Sequence, residues 1–288
     1  MRLLAATLLV ALLWLPPRPA AAEPAMWSIT DADSTLHLFG TIHILRPETH
    51  WRSVALESAL QASEDVWLES PIDDDPLEAR DLVLKYGIDR SVPLNRKLSI
   101  PERRQLGAAL TAIRMPSAAV QLYRPWLAAV TLVYAPAIQA GYDISLGADR
   151  LLKASAVAAG KPVKAFETFE QQIRFFATMP PTVELDFLRR ILGDFAEGEA
   201  RIEELMTAWS TGDVAALREI VERDIKAPTP QLHDILIRQR NNAWLARIEQ
   251  LMAGSGTHFV AVGAAHLVGA DGLPEQLTRR GFTVTRQQ

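Results

Sequence analysis

A short pattern occurs twice in the sequence, near each end of the chain, and places a histidine three residues after a glycine. The first copy ends in Gly40-Thr41-Ile42-His43 and the second in Gly263-Ala264-Ala265-His266, each after an apolar run. Imidazole can bind a metal ion or act as a general acid or base. Glycine at a strand end lets the backbone bend sharply or approach a ligand closely. We therefore predict that both histidines lie close together beyond one sheet edge, where α/β proteins bind ligands.

Two further predicted strands end in a carboxylate, so that four strand ends carry groups able to do chemistry. These groups are His43, Glu69, Glu167 and His266. A single glutamate in such a place is more often a rim residue paired with an arginine. Four groups together, with two histidines in matching frames, favour a shared site, and we expect both glutamates to face the cleft of the histidines.

Arg240 and Asn241 lie within the apolar stripes of a predicted helix over residues 231–252. Arg240 shares one stripe with Leu236 and Trp244. Burying an unpaired charge is very costly, so Arg240 needs an anionic partner, from the protein or from a ligand. Glu69 or Glu167 is the expected partner. A purely stabilising buried pair and a catalytic role both fit this pattern.

The remaining polar features of the sequence point to structural roles. His37, His50 and His233 are expected to be solvated or hydrogen-bonded histidines, with His233 on the exposed side of its helix. The segment 209–213 has the pattern of a helix end followed by a cap.

The elements that must position the site alternate between strands and helices, which predicts an α/β fold. A hairpin begins the fold at 26–30, and further strands are predicted at 65–69, 161–167 and 282–286, besides those of the two glycine–histidine patterns. Helical patterns dominate about 73–160 and 181–252. We expect residues 23–288 to form a single domain in which these two stretches are helical insertions.

The first 22 residues are typical of a secretory signal peptide rather than of the fold. A basic start, a short apolar run and the segment Ala20-Ala21-Ala22 precede Glu23. The run is too short to span a bilayer, which needs ~20 apolar residues. An exported, periplasmic protein without a membrane span after cleavage is therefore expected.

Composition excludes several classes of chemistry and partner. The chain contains no cysteine, which rules out disulfides, cysteine-ligated zinc, thiol nucleophiles and a lipoprotein anchor. Its formal net charge of −4 makes nucleic acid an unexpected partner. The sequence also lacks a His-Glu-x-x-His helix and a Gly-x-Ser-x-Gly elbow, so the common zinc-protease and serine-hydrolase routes are not supported.

Several motifs, taken in order along nearly the whole chain, resemble the GumN branch of the TraB/PrgY/GumN (Tiki-like) family. They are Leu38-Phe39-Gly40-Thr41-Ile42-His43, Trp67-Leu68-Glu69, Phe166-Glu167-Thr168, Trp209-x-x-Gly212-Asp213, Arg240-Asn241 with Trp244, and Val262-Gly263-Ala264-Ala265-His266-Leu267-x-Gly269. The resemblance implies a mixed sheet flanked by many helices, as in the erythromycin-esterase and ChaN-like proteins, with both histidines at one edge.

The resemblance also implies a reaction, because Tiki proteins are described as metal-dependent peptidases that use manganese or cobalt. Carried over to this chain, His43, His266 and Glu69 bind a divalent ion, with Mn²⁺, Co²⁺ and Zn²⁺ suited to these ligands. Glu167 then accepts a proton and Arg240 stabilises the oxyanion, while Asn241 matches the Arg-Asn step of the family.

Two alternatives to a metal-dependent peptidase remain open at this point. A metal-free hydrolase would use one histidine as general base, oriented by a glutamate, as the erythromycin-esterase relatives suggest. A non-enzymatic protein would use the same pocket for haem or another ligand, as ChaN-like relatives suggest. The substrate is expected to be a peptide or a small molecule, and the sequence specifies no oligomeric state.

Overall fold

The structure, a computed structural model, describes residues 23–71 and 76–287. The predicted signal peptide, residues 1–22, and the acidic run 73–75 lie outside the described residues. Within the described ranges, no helix is both long enough and apolar enough to cross a membrane.

A six-stranded mixed sheet forms the centre of the fold. Its spatial order is β4-β3-β5-β2-β1-β6. The strands are β1 (Met26–Thr30), β2 (Ser34–Thr41), β3 (Asp65–Leu68), β4 (Val163–Ala165), β5 (Gly256–Gly263) and β6 (Val284–Arg286). The four strands from β4 to β2 are parallel, whereas β1 runs antiparallel to both β2 and β6. The sheet therefore confirms the predicted mixed α/β architecture and the hairpin at its start.

The two strands that carry the glycine–histidine patterns are direct neighbours in the sheet. β2 and β5 pair in parallel, with Thr41 opposite Gly263 and Gly40 opposite Val262. Parallel neighbours end at the same edge, so the two patterns leave the sheet side by side. β3, which ends just before Glu69, is the neighbour on the other side of β5.

The described residues form twelve α-helices in addition to the sheet. They are α1 (Val54–Ala62), α2 (Pro76–Gly87), α3 (Ile100–Ala112), α4 (Pro125–Gln139), α5 (Ala148–Ala158), α6 (Phe169–Ala177), α7 (Pro181–Asp194), α8 (Gly198–Ser210), α9 (Val214–Val221), α10 (Pro230–His233), α11 (Gln239–Met252) and α12 (Leu273–Arg279). Two π-helical segments, Glu222–Lys226 and Asp234–Arg238, join helices in the second helical stretch.

Helix starts follow the capping signals of the sequence. The Ser53 hydroxyl accepts a hydrogen bond from Leu56 N at 3.0 Å at the start of α1. At α6, Thr168 Oγ1 accepts from Gln171 N while Gln171 Oε1 accepts from Thr168 N, which confirms the predicted capping box. This cap fixes the direction of the chain directly after Glu167.

The core divides between the two faces of the sheet. Phe39, Phe259 and Trp209 belong to the cluster on one face, and Leu38 and Trp244 belong to the cluster on the other. Successive strand residues point to opposite faces, which explains why Leu38 and Phe39 separate. A third cluster, which we call the helical lobe, contains no strand residue and includes Leu94, Leu106, Leu110, Leu132 and Leu188.

Candidate active site

The first motif loop is held tightly at Gly40. Trp209 Nε1 donates a hydrogen bond to Gly40 O at 2.8 Å, and the indole is buried. A methyl group on Gly40 would lie 3.2 Å from Ala264 Cα, so the two motif loops approach each other closely here. Trp209, which the sequence assigned to structure, therefore fixes the turn that leads to His43.

The second motif loop shows directly that the histidines and Glu69 meet. A methyl group on Gly263 would lie 2.8 Å from Glu69 Oε1, 3.6 Å from His266 Cδ2 and 3.9 Å from His43 Nε2. Gly263 N donates to Glu69 Oε1 at 2.5 Å. The prediction that His43 and His266 lie together with Glu69, although far apart in sequence, is confirmed.

Arg240 lies at the centre of the buried network and is only 6% exposed. Its Nη2 donates to Glu69 Oε2 at 2.7 Å and to Glu167 Oε2 at 2.8 Å. Its Nε donates to Glu167 Oε1 at 2.9 Å, and Nη1 lies 3.2 Å from His266 Nε2. The predicted anionic partners of Arg240 are thus confirmed, and they are both glutamates rather than one.

Asn241 determines which nitrogen of His266 carries the proton. Asn241 Nδ2 donates to His266 O at 3.1 Å and to Asp271 O at 2.7 Å, so its Oδ1 faces His266 Nδ1 at 2.7 Å. An amide oxygen only accepts, so we assign the ring proton to Nδ1. His266 Nε2 is then an acceptor and receives the Arg240 Nη1 hydrogen bond.

The ionisation of these buried groups follows from their surroundings. Burial lowers the pKa of His266 to about 3, since the attraction of Glu69 only partly offsets burial and the Arg240 charge. Burial would raise the pKa of Glu69, but the charges of Arg240 and the two histidines lower it overall. His266 is therefore neutral and Glu69 is ionised near neutral pH.

His43 differs from His266 because its side chain is 45% exposed. Its Nδ1 lies 3.0 Å from Asp149 Oδ2, in the first turn of α5. Ala148 N donates to Ile42 O at 2.9 Å, which ties the start of α5 to the first motif loop. The Nδ1 atoms of the motif histidines face Asp149 and Asn241, whereas Glu69 Oε1 lies 3.6 Å from His266 Nε2. In the metal-free alternative, the carboxylate that orients His43 is therefore Asp149 rather than a glutamate.

The pKa of His43 is raised. Burial of the ring lowers it, but the hydrogen bond and charge of Asp149, with the charge of Glu69, raise it more. Solvent screens part of this effect because the ring is partly exposed. The Asp149 contact places a proton on Nδ1 and leaves Nε2 on the side of Glu69.

Tyr134 of α4 lies close enough to Asp149 and Glu69 for their charges to act on it. Burial, followed by the charges of Asp149 and Glu69, raises the pKa of Tyr134 to about 12. Its hydroxyl is therefore protonated over the physiological range and can donate a hydrogen bond. No hydrogen bond of this hydroxyl to another described residue is present.

Glu167 has no free oxygen in this arrangement. Arg240 donates to both oxygens, and Trp244 Nε1 donates to Oε1 at 2.9 Å. Burial raises the pKa of Glu167 and outweighs the Arg240 hydrogen bonds. A role for Glu167 as general base stays a prediction, and it requires Arg240 to release an oxygen first.

The expected metal ligands do not fit a divalent ion as they stand. Arg240 N–H groups are directed at His266 Nε2 and Glu69 Oε2, which are the lone pairs that a metal ion needs. Across the described ranges, no group of three or more histidine, aspartate or glutamate side chains is arranged to hold a metal ion. The metal role of His43, His266 and Glu69 therefore stays a prediction.

The sequence did not predict Asp149, Tyr134 or Gln172 as neighbours of the site. Gln172 Nε2 donates to Glu69 Oε2 at 3.2 Å. All three lie on helices, where the sequence alone does not distinguish a polar residue of a site from a helix cap or a solvated side chain. His233, expected to be exposed, is buried. The spacing itself indicates this, because His233 lies four residues before Ile237 and hence on the buried stripe.

Comparison with known proteins gives a family but no defined activity. The model of the TraB/PrgY/gumN family matches residues 25–286. The chain is 27% identical over 164 residues to an uncharacterised protein named YbaP from Escherichia coli (strain K12), and equally to its counterpart in Shigella flexneri. Each match covers 53% of this chain and 55% of the relative, so the chain spans about half the length of these curated relatives. No solved structure matches the chain.

Proposed function

This chain belongs to the TraB/PrgY/gumN family, and we propose that it hydrolyses ester or amide bonds with His43 as general base. The observation that carries the proposal is the contact between His43 Nδ1 and Asp149 Oδ2, at 3.0 Å, on a partly exposed ring. A histidine oriented by a carboxylate at one nitrogen and open at the other is the arrangement that activates water or a hydroxyl nucleophile.

The reaction follows from the positions of the protons. The neutral form of His43 is the base, and because the pKa of His43 is raised to about 9, this form becomes populated only as the pH rises, so turnover should increase with pH up to that value. In this form His43 Nε2 takes a proton from water as the water oxygen bonds to the substrate carbonyl carbon. Asp149 stabilises the imidazolium that forms, and its hydrogen bond keeps the other ring proton on Nδ1. The protonated His43 then gives its Nε2 proton to the leaving oxygen or nitrogen. The bond from carbon to that atom breaks, which releases a carboxylic acid and an alcohol or amine.

Tyr134 supplies the stabilising hydrogen bond in this proposal. Negative charge develops on the carbonyl oxygen during the attack of water, and a protonated hydroxyl can donate to it. The raised pKa of Tyr134 keeps this proton in place. Arg240 and Glu167 hold Glu69 and His266 in position, and the buried pair itself takes no part in proton transfer.

The test is a panel of activated esters and short mixed peptides, assayed in the presence of a chelator. We expect His43→Gln and Asp149→Asn each to lower kcat by about 10²-fold or more, as loss of general base catalysis does. Tyr134→Phe should lower kcat by roughly 10²-fold with little change in KM, because the lost hydrogen bond forms only in the transition state.

His50→Gln is the matched control, because His50 is an exposed loop histidine with no part in the network. It should retain the wild-type rate. Circular dichroism of each variant separates loss of catalysis from loss of fold. Wild-type turnover by His43→Gln would exclude this mechanism.

A metal-dependent peptidase, the activity that the resemblance implies, is a second candidate that one observation favours. Asp149 and Asn241 each hold the Nδ1 of a motif histidine and leave its Nε2 toward Glu69. Such outer partners are the usual support of metal-binding histidines. Binding of an ion would require Arg240 to withdraw from His266 and Glu69.

Calorimetric titration of Mn²⁺, Co²⁺ and Zn²⁺ separates the two candidates. The metal candidate predicts stoichiometric binding that His43→Ala and His266→Ala each weaken greatly, together with peptide cleavage that a chelator abolishes. The metal-free candidate predicts turnover that persists in excess chelator. Visible absorption after incubation with haem tests the ligand-binding alternative on the same samples.

We also infer that the protein is exported, which the signal-like segment 1–22 supports. Cleavage after Ala22 would leave Glu23 as the first residue of the mature chain. Expression in a Gram-negative host, followed by release of the periplasm and N-terminal sequencing, tests this inference. An intact N-terminus in the cytoplasmic fraction would contradict it.

A further inference from the structure

A groove of about 700 Å³ opens beside the buried network, between α6, α11 and the end of β4. The residues that carry the argument are Trp67, Phe166, Trp244, Arg174, Arg247 and Glu167. Neither His43 nor Asp149 is among the described residues that line it. The volume suits a small organic molecule, since ligand pockets typically measure roughly 300–1,000 Å³.

Three aromatic side chains line one side of the groove, of which Phe166 is partly exposed whereas Trp67 and Trp244 are buried, at 4% and 1% exposure. The ring centroids of Trp67 and Phe166 lie 5.4 Å apart, and those of Phe166 and Trp244 also lie 5.4 Å apart. The Phe166 and Trp244 planes are inclined by only 23°. Phe166, backed by the two tryptophans, therefore offers an apolar surface to a flat ring or a short chain.

Two guanidinium groups at the groove form no ion pair with a carboxylate among the described residues. The Arg174 side chain is exposed and makes no hydrogen bond with any described residue, and the nearest carboxylate on its helix, Glu170, interacts with it only through its charge. Arg247 lies over the Trp67 ring, with its Cζ 4.7 Å from the centroid, and donates only to the amide oxygen of Gln250 at 2.8 Å. Guanidinium groups favour carboxylate or phosphate oxygens, which they can bind in a bidentate manner.

The acidic residue of the lining does not cancel this charge. Glu167 lines the groove, but Arg240 and Trp244 already donate to its two oxygens. Arg240 is shared with Glu69, so it offsets the charge of Glu167 only in part. The lining still carries one net positive charge next to an apolar surface, because it contains two guanidinium groups and one carboxylate.

We propose that this groove binds a small aromatic carboxylate, with its ring against the partly exposed Phe166 and its carboxylate on Arg174 and Arg247. The site is distinct from the His43–Asp149 pair and does not require any turnover there. A ligand in the groove contacts Glu167 and Trp244, which also belong to the network that holds Glu69 and His266. A ligand bound in the groove can therefore affect the candidate active site through Arg240, which contacts Glu167, Glu69 and His266.

The test compares two probes of equal shape, 2-naphthoate and the uncharged 2-naphthamide, by calorimetry and by tryptophan fluorescence. Wild type should bind 2-naphthoate saturably with one site and should bind 2-naphthamide more weakly. Arg174→Gln combined with Arg247→Gln should weaken 2-naphthoate roughly tenfold, since a hydrogen bond to a charged group is lost, and should leave 2-naphthamide unchanged.

Two single variants complete the design. Arg104→Gln is the matched control, because Arg104 is an exposed arginine away from the groove, and it should bind both probes as wild type does. Ala243→Gln places a longer side chain at the exposed rim of the groove and should weaken both probes.

Three results would overturn the proposal: equal affinity of wild type for the two probes, unchanged 2-naphthoate affinity in the double arginine variant, or no saturable binding at all. The outcome is independent of the hydrolase proposal. His43→Gln should keep the wild-type affinity for 2-naphthoate, and a protein without turnover would still bind it.

Discussion

Arg240 carries the largest energetic demand of any residue in the network. Its guanidinium is buried, and so are the two carboxylates that it holds, Glu69 and Glu167. Removing charges from water is expensive, and only their mutual hydrogen bonds repay the cost. Replacing Arg240, Glu69 and Glu167 together by apolar residues would avoid this cost. Their presence therefore points to a role for their geometry in the site rather than in stability.

Replacing Arg240 by leucine should lower the free energy of unfolding by about 3–5 kcal/mol, since two buried carboxylates lose their partner. Arg240→Lys should recover only part of this loss, because an ammonium group cannot bind both glutamates in a forked manner. Urea unfolding monitored by circular dichroism measures both variants.

A double-mutant cycle provides the control for this prediction. In the Arg240→Leu background, Glu167→Gln should be less costly than in wild type, because the carboxylate it removes is already unpaired. Strictly additive losses would show that Arg240 and Glu167 do not interact as the structure places them.

Asp65 provides a test of acid stability outside the candidate site. Its carboxylate lies 2.7 Å from His258 Nδ1 and 2.7 Å from Lys164 Nζ. Burial opposes ionisation, but these two contacts lower the pKa of Asp65 overall. The pKa is lower in the folded protein than in the unfolded chain, so Asp65 stabilises the fold at pH values above its unfolded pKa, ~3.9.

This stabilisation should be lost as pH falls from about 5 through the lowered folded pKa of Asp65. Asp65→Asn should therefore lose less stability than wild type over the same acid range, while being less stable at pH 7. Thermal unfolding at a series of pH values gives the two curves. Asp33→Asn, at an exposed turn position, should parallel wild type, and parallel curves for Asp65→Asn would contradict the assignment.

At the scale of elements, the site depends on how closely β3, β5 and the motif loops approach one another. Gly263 ends β5 against the carboxylate that follows β3, and a methyl group there would lie 2.8 Å from Glu69 Oε1. Gly263→Ala should push Glu69 away from its backbone hydrogen bond and disturb the contact with Arg240. We expect a loss of roughly 1–3 kcal/mol, as overpacking of a tight site causes, together with impaired turnover.

Gly193→Ala is the matched control for this element. Gly193 lies in α7, where a methyl group would meet nothing within 4 Å. Alanine favours the helix over glycine, so stability should stay the same or rise by up to ~1 kcal/mol. Chemical denaturation of the two variants in parallel measures how much the crowding at Gly263 lowers the free energy of unfolding.

Much of this arrangement could be predicted from local sequence. The hairpin, the ends of β3 and β5, and the capping box before α6 each depend on residues within a few positions of one another. Arg240 could also be placed, because a charge within an apolar stripe requires a buried partner. The pairing of His43 with His266 followed from two equal motifs at strand ends.

The other contacts of the site depend on how the helical stretches pack against the sheet. Asp149 reaches His43 only because the start of α5 is tied to the loop that follows β2, and Tyr134 lies near Asp149 and Glu69 only because α4 packs against the cluster on one face of the sheet. No local pattern specifies that packing. The π-helical turn at Asp234–Arg238 cannot be predicted from a 3.6-residue period either, although it directly precedes α11, whose second residue is Arg240.

At the scale of the whole molecule, α4 connects the helical lobe to the sheet. Its residues Ala129 and Leu132 belong to the helical lobe, whereas Ala137 belongs to the cluster on one face of the sheet, with Tyr134 packed against it. One continuous helix therefore serves two cores. This favours cooperative unfolding of the helical lobe with the sheet, and a single domain over residues 23–288 stays a prediction.

Leu132→Ala should consequently destabilise the sheet as well as the helical lobe. Truncation of a buried leucine costs about 2–5 kcal/mol. Native-state hydrogen exchange of the variant should show the same reduction in opening free energy for slowly exchanging amides of β5 and of α7, because both open only in global unfolding. If α7 lost protection while β5 retained it, the helical lobe would unfold independently. Tyr134 would then be free to leave the site without disrupting the sheet.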